Sequence, residues 1–217
     1  MNKQNFPKIL AELKRLYPDV RCFLHYTTPF QLLCAVILSA QCTDERVNMV
    51  APRLWKAFPT PEKMAQAKLS EIEKLIKSTG FYHNKAKNLK GCAQTLLAEF
   101  GGKIPQTIEE FVRVPGVGRK TANVVLGEVY GISEGVTVDT HVTRLSNRLG
   151  FTKHKDAVKI ERDLIQLVPK AEWLTISHRL IQHGRKVCDA RKPLCGSCTL
   201  AKWCSSYKSN EAFTKLS

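Results

Sequence analysis

Residues 107–130, TIEEFVRVPGVGRKTANVVLGEVY, set two apolar-periodic runs on either side of a Pro-Gly-x-Gly corner. One helix cannot continue through such a corner, because proline removes a backbone donor and glycine readily adopts the left-handed conformation that ends helices. The segment predicts a helix, a tight hairpin and a second helix. Its glycines allow positive φ and close backbone approach, leaving hairpin and helix N-terminal N–H groups free to hold a phosphate. Many such corners only join helices. With a proline, two cations and a basic chain around it, this one points to sequence-independent grip on a DNA backbone.

Helix punctuation recurs elsewhere. Thr60-Pro61 places an N-cap before a proline at the first helical position, and Ser70 with Glu73 and Thr107 with Glu110 have capping-box spacing. Gly80, Gly101 with Gly102, and Gly131 each follow an apolar-periodic run, as helix stops do. Only GVTVD at 135–139 alternates like a strand, so the chain is expected to be all-α, with about ten short helices and no long linker. At 217 residues and 43% hydrophobic content it can build one domain or two compact ones. Its richest apolar window, FQLLCAVILSA at 30–40, is too short for a membrane span, and MNKQNFPKIL lacks a signal-peptide core, so a cytoplasmic location is expected. TGFYHNKAKNL at 79–89 echoes PGVGRKTANVV at 115–125, a glycine corner leading to a lysine and a helix. Because glycine stops are common, the echo reads as coincidence.

The charge narrows the partner. Lys and Arg exceed Asp and Glu by 34 to 19, a formal net charge of +15. Residues 1–21 carry five cations against two anions, 22–131 fourteen against nine, and 132–217 fifteen against eight, so the two chain ends hold most of the surplus. A surplus of this size favours a polyanion, since neutralising phosphates releases condensed counterions, although charge runs are also ordinary solvated faces.

Lys120 falls where the second helix of the hairpin begins. The helix N-terminus is partly positive and Arg119 is adjacent, so both disfavour an added positive charge there, as a neutral amine nucleophile would require. A phosphate-binding cation is the plainer role for it. The second unusual segment, CDARKPLCGSCTLAKWC, carries Cys188, Cys195, Cys198 and Cys204. Four closely spaced thiols in a chain of this kind argue for a metal site over disulfides. Their spacing leaves zinc and an iron–sulfur cube equally open. Cys22, Cys34, Cys42 and Cys92 share no ligand spacing and read as small buried residues.

Taken together, VPGVGRKTANVVL, VDTH at 138–141 and the C-x6-C-x2-C-x5-C clip resemble the endonuclease III family of DNA glycosylases with AP lyase activity. The resemblance runs from LSAQCTD at 38–44 to the last cluster cysteine. It implies a two-lobed helix-hairpin-helix DNA glycosylase fold: a six-helix lobe over 22–132, and an iron–sulfur cluster lobe made from 1–21 and 133–217. It further implies that Lys120 is the catalytic lysine, Asp139 the catalytic aspartate, and Cys188, Cys195, Cys198 and Cys204 the ligands of a [4Fe-4S] cluster. The partner would be double-stranded DNA containing damaged bases or abasic sites, bound by a nucleoid-associated monomer with no membrane role. The DNA contacts would come from Gln41, which fills the space vacated by a flipped base, from Phe81 and Tyr82 as a wedge, and from Gly116, Val117, Gly118 and Arg119 of the hairpin. Two positions depart from the family pattern: the wedge is commonly Leu where this chain has Phe81, and Cys42 replaces a small residue without a thiol.

Several of these residues have plainer roles. Asp139 stands where an N-cap should, His141 could pack, cap or touch phosphate, and Phe81 could be a core aromatic following a helix stop. Among functions, the resemblance favours a bifunctional glycosylase and lyase for oxidised pyrimidines. A monofunctional relative such as the mismatch adenine enzyme lacks a lysine at the position of Lys120 and carries a further C-terminal domain. A non-catalytic iron–sulfur DNA-binding protein would have no need of both Lys120 and Asp139.

Overall fold

The apolar window at 30–40 forms a helix buried on almost every side, and one of two cores is built around it. The computed structural model describes residues 3–209. It contains α1 (Phe6–Leu16), α2 (Pro29–Leu38), α3 (Asp44–Ala57), α4 (Pro61–Gln66), α5 (Leu69–Ile76), α6 (Tyr82–Phe100), α7 (Ile108–Phe111), α8 (Arg119–Tyr130), α9 (Thr140–Leu149), α10 (Ala157–Leu167), α11 (Trp173–Lys186) and α12 (Ser205–Ser209), with no strand among the described residues. The expectation of an all-α chain holds, with more and shorter helices than the punctuation suggested. GVTVD forms no strand; its alternation reflects Val136, buried in the second core, and Val138, packed against it. No described helix is long and apolar enough to cross a membrane.

The chain divides into two compact units, one running Cys22–Ile132 and the other made from both ends, up to Arg21 and from Ser133 onward. The first holds α2 to α8, of which α7 is a single turn. In it α2 packs against α3, α6 and α8, and a helix apolar on all sides belongs at such a centre. Leu32, Leu33, Leu38, Leu54, Ile72, Leu89 and Phe111 fill the space between these helices. The second unit packs α9 against α10, α11 and α12, with α1 laid on α11. Ile9, Leu13, Leu145, Ile160 and Leu180 are fully or almost fully enclosed, and Phe6 meets Phe151 edge-on at 5.1 Å.

The caps explain where these helices start. Thr60 accepts a hydrogen bond from the Lys63 N–H and Thr107 from the Glu110 N–H, as their spacing predicts. The Glu110 carboxylate, however, reaches the N–H of Gln106 instead of Thr107. The expected Ser70 box does not form, because the N-cap of α5 lies two residues earlier, at Lys68, and the helix begins at Leu69. Glu71 accepts from the Lys68 N–H, so the acidic residue that closes this helix end is Glu71 and not Glu73. Gly101 and Gly131 end α6 and α8 in the left-handed conformation. Gly80, at φ 69°, ends the short turn after α5.

Of the four cysteines outside the clip, Cys34 and Cys92 are buried, whereas Cys22 and Cys42 are only half-buried at the margin of the core. The uniform burial expected from their lack of spacing is therefore corrected for those two. Burial still pushes the Cys22 and Cys92 thiols up to about 12.

Candidate functional site

The hairpin forms as its sequence predicts. α7 closes with Val114 N–H on the Phe111 carbonyl at 2.9 Å, the chain turns through Pro115 to Gly118, and α8 opens with Ala122 N–H on the Gly118 carbonyl at 3.0 Å. The two glycines serve different ends. Gly116 has φ 80°, and a Cβ there would stand 2.8 Å from Cβ of Asn88 on α6, so both its backbone and its packing require glycine. Gly118 has φ −99° and ψ 174°, which any residue adopts, and a Cβ there would meet nothing within 4 Å. Neither strain nor packing within the chain calls for glycine at 118, although as the N-cap of α8 it holds a position that glycine tolerates well.

Around that corner Gly116, Gly118, Arg119 and Lys120 are exposed. Gly118 supplies no capping side chain to α8, so the first N–H groups of the helix face outward beside two cations. Val117 differs: it is buried in the first core, and its N–H donates to the Val114 carbonyl at 3.1 Å.

Gln41 and Phe81 lie at two other corners of the same unit. Gln41 has φ 53° in the turn between α2 and α3, where Cys42 N–H bonds the Ser39 carbonyl and Thr43 caps α3. Phe81 has φ 47° at the N-cap position of α6. Among the described residues these are the non-glycine positions with positive φ. A left-handed backbone costs a residue with a large side chain about 1–3 kcal/mol, and such strain collects at functional sites. Phe81 is 65% exposed, which removes the reading of it as a core aromatic. Tyr82 is half-buried and lies against His83, with ring centroids 4.1 Å apart.

In the other unit, Asp139 is the N-cap of α9. Its Oδ1 accepts from the Val142 N–H at 2.7 Å, and the residue is half-buried. The capping role expected of it is therefore present, and Oδ2 remains available for a second one. His141 lies within α9, its Nδ1 3.1 Å from Nη2 of Arg144.

The cysteine clip follows α11. Cys188, Cys195, Cys198 and Cys204 are each half-buried and line one pocket together with Leu145, Leu149, Val187 and Leu200. Two short turns, Cys195–Ser197 and Ala201–Trp203, bring the last three cysteines to it. Burial, reinforced by the charges of the neighbouring cysteines, pushes Cys198 up to about 11 and raises Cys195 and Cys204 as well. Four thiolates so close would need a compensating cationic group. No three His, Cys, Asp or Glu side chains among the described residues gather tightly enough to hold a single metal ion. Four thiols lining one pocket are a donor set that suits a thiophilic metal group.

Two arginines that the spacing did not single out brace this clip. Arg148 donates through Nη1 to Cys188 Sγ at 3.2 Å and to the Asp189 carbonyl at 2.6 Å, and through Nη2 to the Ala190 carbonyl at 2.8 Å. Arg144 reaches the carbonyls of Gly184 and Cys188. Their separation by four residues puts both on one face of α9, a signal legible in sequence. The acceptors, some forty residues later in the chain, are not legible there.

Residues 34–170 match the HhH-GPD superfamily of base excision DNA repair proteins. The endonuclease III of Synechocystis sp. is 56% identical over 204 residues, spanning 94% of this chain and 93% of its own length. That of Escherichia coli K12 is 39% identical over 204 residues, spanning 94% and 96%. Among solved structures, a trapped endonuclease III–DNA covalent intermediate is similar with a TM-score of 0.89 at 42% identity, covering 95% of this chain and 97% of the other. A thermostable thymine-DNA glycosylase, 23% identical with a TM-score of 0.82 and covering 96% and 98%, shares the fold.

Proposed function

This chain belongs to the HhH-GPD superfamily and, within it, to the endonuclease III family, and from that premise we propose that it excises oxidised pyrimidines from duplex DNA and cleaves the strand through a Schiff base on Lys120. The observation that carries the assignment of the nucleophile is the exposed amine at the start of α8, beside a glycine that nothing inside the chain requires.

The chemistry runs on this chain's own residues. A base stacked in a duplex shields its sugar, so the nucleotide is flipped out at a cost of a few kcal/mol, roughly that of the lost stacking and pairing. Gln41 and Phe81, on their preset corners, occupy the vacated space and part the neighbouring bases. The Lys120 amine attacks C1′, the C1′–N bond breaks and the base leaves with its bonding electrons, taking up a proton. Ring opening gives an imine between Nζ and C1′. The imine acidifies C2′, a proton is lost there, and the C3′–O bond breaks by β-elimination, releasing the 3′-side strand as a 5′-phosphate. Hydrolysis of the imine returns the lysine. Asp139 holds α9 through Oδ1, while Oδ2 would move a proton at the lysine and stabilise positive charge on the sugar.

Cys188, Cys195, Cys198 and Cys204 would hold a [4Fe-4S] cluster. When bound, it cross-links a clip with little apolar core of its own and offsets the charge of four thiolates. Arg148 would donate to the Cys188 ligand sulfur, the kind of outer contact that orients a ligand and tunes its basicity.

The test is covalent capture. Protein incubated with borohydride and a duplex bearing one thymine glycol should yield a stable protein–DNA adduct mapping to Lys120. Excision without any adduct, through direct attack by water, would overturn the lyase assignment.

A further inference from the structure

Lys85 is 4% exposed on the first turn of α6, an unusual place for an ammonium. An aliphatic side chain would fill the same space without the cost of desolvating a charge, so packing alone does not account for a lysine. Its hydrogen bonds do. Nζ donates to the Thr79 carbonyl at 2.8 Å, and its own backbone N–H donates to the Phe81 carbonyl at 3.1 Å. One residue thus grips the carbonyls on both sides of Gly80, at the left-handed turn that presents Phe81. Thr79, itself 3% exposed, is braced in turn by its hydroxyl on the Ile76 carbonyl at 2.8 Å.

The same ammonium stands near the other corner. Burial lowers the pKa of Lys85, and neighbouring Cys42 acts on it in the opposite direction. Cys42 directly follows Gln41 and ties its turn through Ser39. The cation is thus within electrostatic reach of Cys42, while its hydrogen bonds hold the Phe81 turn.

We propose that Lys85 is a positioning residue for DNA probing, its buried ammonium holding the Phe81 turn in the conformation that enters a duplex. This rests on the reading of Phe81 as a residue that invades DNA. Lys85 itself touches no DNA. Strain at that corner tends to relax, and a buried hydrogen bond from a charged donor opposes that relaxation.

The experiment compares wild type with Lys85→Met on a duplex containing a tetrahydrofuran abasic analogue opposite 2-aminopurine, whose fluorescence rises when it is unstacked. This arm needs no turnover. Wild type should raise the fluorescence on binding. Lys85→Met should lose most of that rise while holding undamaged duplex within about threefold of wild type, since phosphate contacts carry non-specific affinity. Single-turnover excision of thymine glycol should fall by at least about tenfold, as expected for a misplaced positioning group. Borohydride capture on single-stranded abasic DNA, which has no stack to invade, should match wild type. Thr79→Val, which keeps the volume and removes the bracing hydroxyl, should give a smaller loss of fluorescence, and it decides the matter if Lys85→Met does not fold. An unchanged fluorescence rise, or equal losses on duplex and single-stranded substrates, would overturn the proposal. Absence of excision by wild type would instead count against the proposed function, leaving the fluorescence arm to judge Lys85.

Discussion

Lys120 and Lys85 each follow a glycine corner into a helix, yet Lys120 is exposed while Lys85 is buried with Nζ 2.8 Å from the Thr79 carbonyl. Gly116 and Gly80 turn both corners with positive φ, at 80° and 69°. The two lysines differ in their place on the helix. Lys120 is the second residue of α8 and projects from an end with no capping side chain, whereas Lys85 sits within the first turn of α6, against the core. A nucleophile must reach a sugar, and of the two only Lys120 is exposed to do so.

Lys120→Gln should therefore abolish both the borohydride adduct and strand cleavage. Binding to duplex should stay within about tenfold, because one exposed charge is worth about 1 kcal/mol. Asp139→Asn keeps the N-cap acceptor and should fold normally, with turnover lost more than binding. Capture by Lys120→Gln at the wild-type level would place the nucleophile elsewhere.

The two hairpin glycines should respond oppositely to alanine. Gly116→Ala forces a side chain onto φ 80° and against Asn88, and should lower stability by about 1–3 kcal/mol in urea unfolding. Gly118→Ala adds a methyl to open space on an ordinary backbone, so the unfolding midpoint should hold or rise slightly while affinity for duplex DNA drops. Unchanged affinity in Gly118→Ala would remove the phosphate-gripping role from this corner.

The purified protein should be brown and contain about four irons per chain. Cys198→Ala should lose the colour and expose the clip to limited proteolysis, since the cross-link through the four cysteines would be lost. A colourless, active protein with one zinc would overturn the cluster.

Acid should loosen α1 from α11. Burial pulls the Glu172 carboxyl upward, but hydrogen bonds from Lys14, Arg179 and Thr175 outweigh it and hold the group at about 2, below its ordinary 4.5. A depressed folded value stabilises the protein at neutral pH, and that stability is lost as pH falls from about 4.5 towards about 2. Glu172→Gln should flatten stability against pH in that window. At pH 7 it should cost about 3 kcal/mol, because the nearly buried Arg179 loses its counter-ion. Parallel acid unfolding curves for wild type and variant would contradict this.

Local chemistry was legible in the sequence wherever the determinants lie close together in the chain. Thr60 before Pro61, Gly101 and Gly131 at helix ends and the Pro-Gly-x-Gly corner all act within a turn or two of themselves, so residue type and spacing suffice. The Ser70 box failed for a local reason too: two overlapping helix starts compete there, and the Glu71 carboxylate closes the earlier one on the Lys68 N–H. Tertiary structure alone decided which of several equivalent side chains meets which environment. Nothing near Lys85 marks it as buried, since its enclosure comes from helices brought together by folding. Arg148 shows its face on α9 but not the carbonyls of Asp189 and Ala190 that it holds. Gly116 and Gly118 look alike in sequence, and only the approach of Asn88 from α6 separates the glycine that the fold requires from the one left open to a ligand. Burial and long-range hydrogen bonding depend on positions in space that no local pattern carries.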